Sequence, residues 1–547
     1  VTVTHDTGTE SHKTGLLIAG AGGDTTVLTN ESAADALFNS LVNTDNMDMS
    51  IANNQFATSN GNIIITSSKG TSISNGASVK NFGSGDITIT NTGINGVNIA
   101  GEVSNPNGNL TVTNSSGELL VDTTGIVKNK GAMTFLNNGT GTGLKLNGNI
   151  TNEGTLTATN ETGADGLLIA GTVTNTGDTS IKNKKEGVNG KGSLQITGSL
   201  NNTNALSIVN NGDGGMLVSG SVNNTTGATN VINNAGELLV DTTGIINSSG
   251  SGLLINNNGV NSSNNSGIDI KGQVINTNKD ASFIIRNFNG DMRVGSSSVD
   301  NNIASNADVK IYVLGGGDLL NNGVDNVLIS TTEGANLSVR VTEGSIGEEV
   351  GPNDGIYTGI GQNHRDLTKS INISVDGDVT AISSGEGALI NLASLDKDMK
   401  IDQIKSDGRV ILLADDSVNK GSTAYDIVNS GSAGKTHPSV EGTGISIIAS
   451  GNIGEAGNAL TFRQGDAHIF YGDDARNPHV PVIADEGQNG VDMLAIKDIH
   501  IKGLDSEDGQ KLDTNIGGLI SREGSINAEF SGDVYVRETT AANRIDL

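Results

Sequence analysis

Apolar and polar residues alternate in short bursts along this chain, and the bursts are separated by glycine, asparagine and serine turns. Between Gly96 and Asn287 they recur as NLTVTN, AMTFLN, TLTATN, TSIKN, ALSIVN and TNVIN, closing at Asn114, Asn137, Asn160, Asn183, Asn210 and Asn233. The intervals are 23, 23, 23, 27 and 23 residues, and another 23 leads to Asn256. Strands and turns repeating at such a period, without helical patterning, predict a coiled β-solenoid.

Each period holds three short strands, as in GLLIAG, TVTN and GDTSIKN from Gly166 to Asn183. Positions two apart share a face, so the first strands point Val97 and Ile99, Leu144 and Leu146, Leu167 and Ile169, Leu194 and Ile196, and Met216 and Val218 inward. The second strands contribute Val103, Ile150, Val173, Leu200 and Val222, and the third Val112, Phe135, Ala158, Ile181, Ile208 and Val231. Three inward columns define triangular rungs of about 23 residues around a dry core. At about 4.8 Å per coil the expected body is a rod on the order of 100 Å long.

Asn105, Asn152, Asn175, Asn202, Asn224 and Asn276 recur at the corner between second and third strands. Asn suits turns, and its amide is able to bond the Asn one coil above, so a corner ladder is expected beside the plainer reading of a turn residue. The decamer GELLVDTTGI occurs at Gly117 to Ile126 and again at Gly236 to Ile245. Read as a rung, it points Leu119, Val121, Leu238 and Val240 inward. Ile126 and Ile245 are then the next inward positions and Lys128 and Asn247 the next corner.

Three regions follow. Residues 1–60 are less regular, and Leu37, Phe38, Leu41 and Val42 in the stretch Asn30 to Asn43 have the spacing of a short helix. Residues 61–289 are the regular β-helix. Residues 290–547 continue it with longer, acidic, loop-decorated rungs, in which SINISVDGDVTAI, RVILLADD and GISIIASGNIGEAGNALTF keep the strand beat.

Composition narrows the classes. Aromatics are 3% of 547 residues and Trp is absent, so the core must be stacked small aliphatics. Without cysteine there is neither a disulfide framework nor a thiolate metal site. A formal charge of −28 argues against nucleic acid as a partner, and no apolar run reaches the length of a membrane span.

The phrases GNLTVTNSSGELLV, GLLIAGTVTNTGDTSIKN and ISIIASGNIGEAGNALTF resemble the filamentous haemagglutinin family, bacterial surface adhesins that include leukotoxin-type filamentous proteins. The resemblance covers Gly61 to Phe462 diffusely. It implies an all-β, right-handed parallel β-helix that is secreted or held at the bacterial cell surface. It also implies a non-enzymatic adhesin shaft mediating attachment or aggregation. The partners implied are glycans or proteins of a host or neighbouring cell, or copies of the chain itself. NPNG at Asn105 to Gly108 is similar to a turn in the family's secretion domain and is read here as a corner. The chain starts at Val1 with neither an initiator Met nor a signal pattern, as expected of a trimmed segment.

Candidate chemistry is sparse. Glycan-cleaving β-helices need carboxylates on neighbouring coils facing one groove. The candidates are Asp415 and Asp416, and a carbohydrate or cation cluster of His468, Asp473, Asp474 and His479 with Tyr471 and Arg476 alongside. GGGDLLNNGVDNVLI is one isolated relative of a calcium-binding nonapeptide and reads as a glycine turn. The expectation is no catalysis and no cofactor. Leu120, Leu168, Leu217 and Leu239 point outward from first strands, interrupted by Lys145 and Gln195, and are expected to mark a lateral contact or a docked loop. A self-assembling filament or sheath subunit is the alternative to the shaft, and a carbohydrate-active enzyme ranks third.

Overall fold

The computed structural model describes residues 62–140, 143–184, 193–349, 366–414, 424–431, 437–464, 497–504 and 524–530, and the strands 17–19, 25–26, 40–43, 48–51, 55–58, 491–495, 514–521 and 534–536. They form a right-handed parallel β-helix, without helix among the described residues. The chain divides into two compact units, Val1–Ser262 and Ser263–Leu547.

In the first unit the described coils from Asp48 onward repeat the sequence's three strands. Gly166–Ile169, Thr172–Asn175 and Thr179–Asn183 each pair in parallel with their equivalents one coil before and after. Alternation then decides what is buried. Leu144, Leu167 and Leu194 stack in one column, Ile150, Val173 and Leu200 in a second, and Phe135, Ala158 and Ile181 in a third, all buried. Phe135 sits one coil from Ala158, so a large residue is compensated by a small one in the same column. Each such aliphatic contributes about 1.5–3 kcal/mol by leaving water, and this replaces the aromatic core the composition cannot supply.

Glycine holds the corner between first and second strands because backbone meets backbone there. A Cβ on Gly171 would lie 2.1 Å from the carbonyl oxygen of Gly148, and one on Gly198 would lie 2.1 Å from that of Gly171. No side chain fits such a stack.

The first 60 residues depart from expectation. Ser40–Asn43 is a strand, paired with Leu17–Ala19 on one side and Ile63–Ser67 on the other. The expected helix is therefore corrected over Leu41 and Val42, and Leu37 and Phe38 lie outside the described residues. SLVN is another copy of the asparagine-closed beat, with Asn43 in register with Ser67 and so with Asn91. Backbone pairing overrides a local four-residue spacing.

The decamer is also corrected. Val127, with no exposed surface, occupies the second inward column, and Ile126 is 36% exposed. Ile246 likewise replaces Ile245 inside. Asp122-Thr123-Thr124-Gly125 thus adds two residues to the corner. The true corner residues are Asn129 and Ser248 rather than Lys128 and Asn247.

The second unit keeps the coil and changes its cross-section. Asp291–Val294, Ile303–Ser305 and Val309–Val313 make an ordinary coil, and Leu319–Asn321, Ile329–Thr331 and Leu337–Thr342 the next. Beyond them the first face contracts to single bridges, Leu319 to Ile346 to Ile390 and Ile427 to Ile453 to Ile499.

Candidate functional surface

At the corner after the second strands, Asn129 donates its amide to Asn152 Oδ1 at 2.9 Å, Asn152 to Asn175 at 2.9 Å, and Asn202 to Asn224 at 2.9 Å. The longer coil is bridged: Thr179 Oγ1 receives the Asn175 amide at 2.8 Å and donates to Asn202 Oδ1 at 2.7 Å. Four of the expected members are therefore present. Asn105 is corrected. It is buried and in register with Asn129, but its amide turns to the carbonyls of Asn109 at 2.7 Å, just past the NPNG turn, and of Gly85 at 3.2 Å, one coil earlier. Asn129 Oδ1 is consequently left buried without a donor. Asn276 in the second unit faces Ser305 Oγ at 3.2 Å instead of another Asn.

A second ladder, which sequence reasoning missed, runs through the strand-closing asparagines. The amides of Asn91, Asn114, Asn137, Asn160, Asn183, Asn210 and Asn233 each donate to the next Asn Oδ1 at 2.7 to 2.9 Å, ending on Asn257. The last interval is therefore 24, to Asn257 and not Asn256. All are buried, and most also bond a carbonyl of their own turn, as Asn160 does with Gly163 at 3.1 Å. The invariant closing letter was the available signal.

The outward leucines occupy one column of first strands, in the order Asn98, Leu120, Lys145, Leu168, Gln195, Leu217 and Leu239. Each leucine is half-buried against its neighbours along the column. Lys145 reaches Glu118 at 2.5 Å, which breaks the stripe with an ion pair. Only Leu217 and Leu239 are adjacent.

A larger outward apolar surface went unread in the second unit. Leu413 and Ile448 project from the far side of strands whose inner face carries Leu412 and Ile447, and they cluster with Ala393 and Leu395. Val327 and Leu367 pack on this cluster. The Leu367 carbonyl accepts from the amides of Asn321 at 2.9 Å and Asn372 at 3.1 Å, so two buried asparagines fix the segment that covers it. ILLA and ISIIA are buried at every position, Ser446 included, because both of their faces are covered.

Asp415, Asp416, His468, Tyr471, Asp473, Asp474, Arg476 and His479 lie outside the described residues. The calcium-like phrase opens with Gly315 and Gly316 at φ of 82° and 83°, a left-handed turn before the strand Leu319–Asn321. Among the described residues no three His, Asp or Glu side chains group to hold a metal, and no helix is long and apolar enough to cross a membrane.

Two carboxylates respond to the coil stack in opposite directions. Lys80, one coil earlier, bonds Glu102 at 2.7 Å and holds its pKa below the ordinary value, with Lys128 at 3.6 Å helping from the coil after. Burial instead pushes Asp318 up, against a 2.7 Å hydrogen bond from the Ser345 N–H, and the nearby Asp291 adds to the rise. The depressed Glu102 contributes stability above the ordinary carboxylate range, lost as pH falls through its folded pKa. Asp318 acts inversely, favouring the fold below the ordinary range and losing that contribution as pH rises. Lys80→Met is expected to flatten the acid limb of the stability profile by at most about 1 kcal/mol. Urea unfolding of the variant and the parent between about pH 6 and about pH 3 measures it.

Compared with known proteins, the chain matches no family model, no curated protein and no solved structure.

Proposed function

We propose that this chain is a structural shaft of a bacterial surface adhesin, acting by position and not by catalysis. The observation that carries the reading is the pair of buried asparagine ladders. They fix coil on coil with directional bonds and add nothing reactive to the surface. The phrases similar to filamentous haemagglutinins support the same reading. A segment whose register is set at two corners over the coils between Asn129 and Asn224, and at one corner from Asn91 to Asn257, is suited to hold a contact site at a distance.

The test is antibody labelling of intact cells that make the protein, beside attachment of a strain lacking it. Labelling without permeabilisation, with reduced attachment in that strain, is expected. Signal only after permeabilisation would overturn the proposal. The adjacent outward Leu217 and Leu239 favour a second reading, lateral self-association into a filament. Regular polymers of the purified chain in the electron microscope would place that reading first.

A further inference from the structure

The third face of the second unit carries an arrangement at odds with the chain's charge. Overall the chain has 60 Asp and Glu against 32 Lys and Arg. Yet three successive strands, Ser282–Asn287, Val309–Val313 and Leu337–Thr342, present Arg286, Lys310 and Arg340 outward with no carboxylate at any outward position. Their inward partners, Phe283 and Ile285, Val309 and Ile311, and Leu337 and Val339, are buried, which fixes the direction of the charged side chains.

Register places these groups in a defined order. Arg286 pairs with Tyr312 and Tyr312 with Arg340, so Tyr312 stands between the two arginines in one outward column. Lys310 stands two residues before Tyr312 on the same strand face. The Arg286 guanidinium carbon lies 5.9 Å from the centre of the Tyr312 ring. Among the described residues none of the three cations makes an ion pair. Elsewhere on the fold cations are held by neighbours, as Lys80 is by Glu102 at 2.7 Å, Lys397 by Asp376 at 3.0 Å and Lys405 by Glu441 at 3.0 Å. An unopposed cluster of three cations departs from the rest of a surface with nearly twice as many Asp and Glu as Lys and Arg, and is free to meet an external anion.

We infer that this patch binds a linear polysaccharide bearing one carboxylate per disaccharide, running across the strands. The assignment rests on the adhesin reading and names the chemistry of its partner. A guanidinium fork matches a carboxylate with two parallel hydrogen bonds. Two strand spacings separate Arg286 from Arg340, roughly 10 Å, which is on the scale of a disaccharide repeat in an extended pyranose chain. The half-buried Tyr312 ring between them offers an apolar face to the sugar that bridges the two acidic ones. Three cations around one ring make a modest charge density. That suits alternate carboxylates better than a polysulfate or a nucleic acid, whose denser charge is opposed more strongly by the field of a chain at −28.

The experiment is titration calorimetry of the full chain with hyaluronan oligosaccharides at physiological ionic strength, beside neutral dextran, dextran sulfate and duplex DNA. Hyaluronan binding is expected, weakened roughly tenfold in the double variant Arg286→Gln/Arg340→Gln and less in Tyr312→Leu, with dextran inert. All three positions face outward, so unchanged thermal unfolding shows that the variants fold. Absence of hyaluronan binding, affinity unchanged in the double variant, or equal or tighter binding of dextran sulfate or DNA would overturn the inference. Such a failure leaves surface labelling and attachment unaffected, and so is distinguishable from failure of the adhesin reading.

Discussion

Ile181→Asp is expected to lose more than about 4 kcal/mol and to open the coils on either side of it, the largest effect of any single change considered. Ile181 is fully buried in the third inward column, in register with Ala158 before it and Ile208 after it. A carboxylate there has no cation within the column and no water. It must either stay charged in an apolar stack or bind a proton far from its ordinary pKa. Ile181→Val removes one methylene and should cost about 1 kcal/mol, which separates buried charge from lost volume. In a repeat array opening is local, so the readout is hydrogen exchange of the amides between Thr179 and Asn210. Protection equal to that of the parent chain would refute the inward assignment.

The same alternation explains why so much of the fold was legible. A period of two forces every other side chain to one face, and apart from Ile126 and Ile245 the inward positions named from sequence are the buried ones. Corners were harder, because a turn has no period to count. Thr123 and Thr124 look like one extra residue between Val121 and Ile126, but the strand restarts at Ile126 with Val127 inward, so Asn129 was overlooked. Asn256 and Asn257 are adjacent identical letters, and only pairing with Asn233 chooses between them.

Other features resisted for different reasons. Leu41 and Val42 sat at helical spacing in a stretch too short for that spacing to outweigh strand pairing. Leu413 and Ile448 belong to runs without alternation, and such runs signal strands covered on both faces. The cationic patch is invisible along the chain. Arg286, Tyr312 and Arg340 are separated by a full coil each and meet only through register.

Register itself is the claim on which the account stands, and the ladder through Asn160 exposes it. Asn160 Oδ1 accepts from the Asn137 amide at 2.9 Å and from the Gly163 N–H at 3.2 Å. Its own amide donates to Asn183 Oδ1 at 2.9 Å and to the Gly163 carbonyl at 3.1 Å. Every amide in the ladder points toward the next coil, so the direction of one fixes the rest. An ionised Asp at this position keeps the acceptor and loses the donor, leaving two oxygens facing it without a proton. Turning Asn183 around to donate would break its 2.8 Å bond to Asn210 and pass the fault along. Asn160→Asp should therefore cost about 3 kcal/mol near neutral pH. The folded-state pKa of the new carboxyl is raised, because only its protonated form restores a donor. The variant's relative stability is then greatest below the ordinary Asp range and is lost as pH rises through the raised value. Asn160→Ala has no proton to gain, and its deficit stays flat with pH.

The decisive measurement is the stability difference between Asn160→Asp and the parent chain, followed by local hydrogen exchange or urea unfolding from about pH 7 down to about pH 4. A deficit that shrinks markedly as pH falls, beside a flat deficit for Asn160→Ala, is the predicted result. Equal deficits at both ends of that range would contradict a ladder of directional amide bonds.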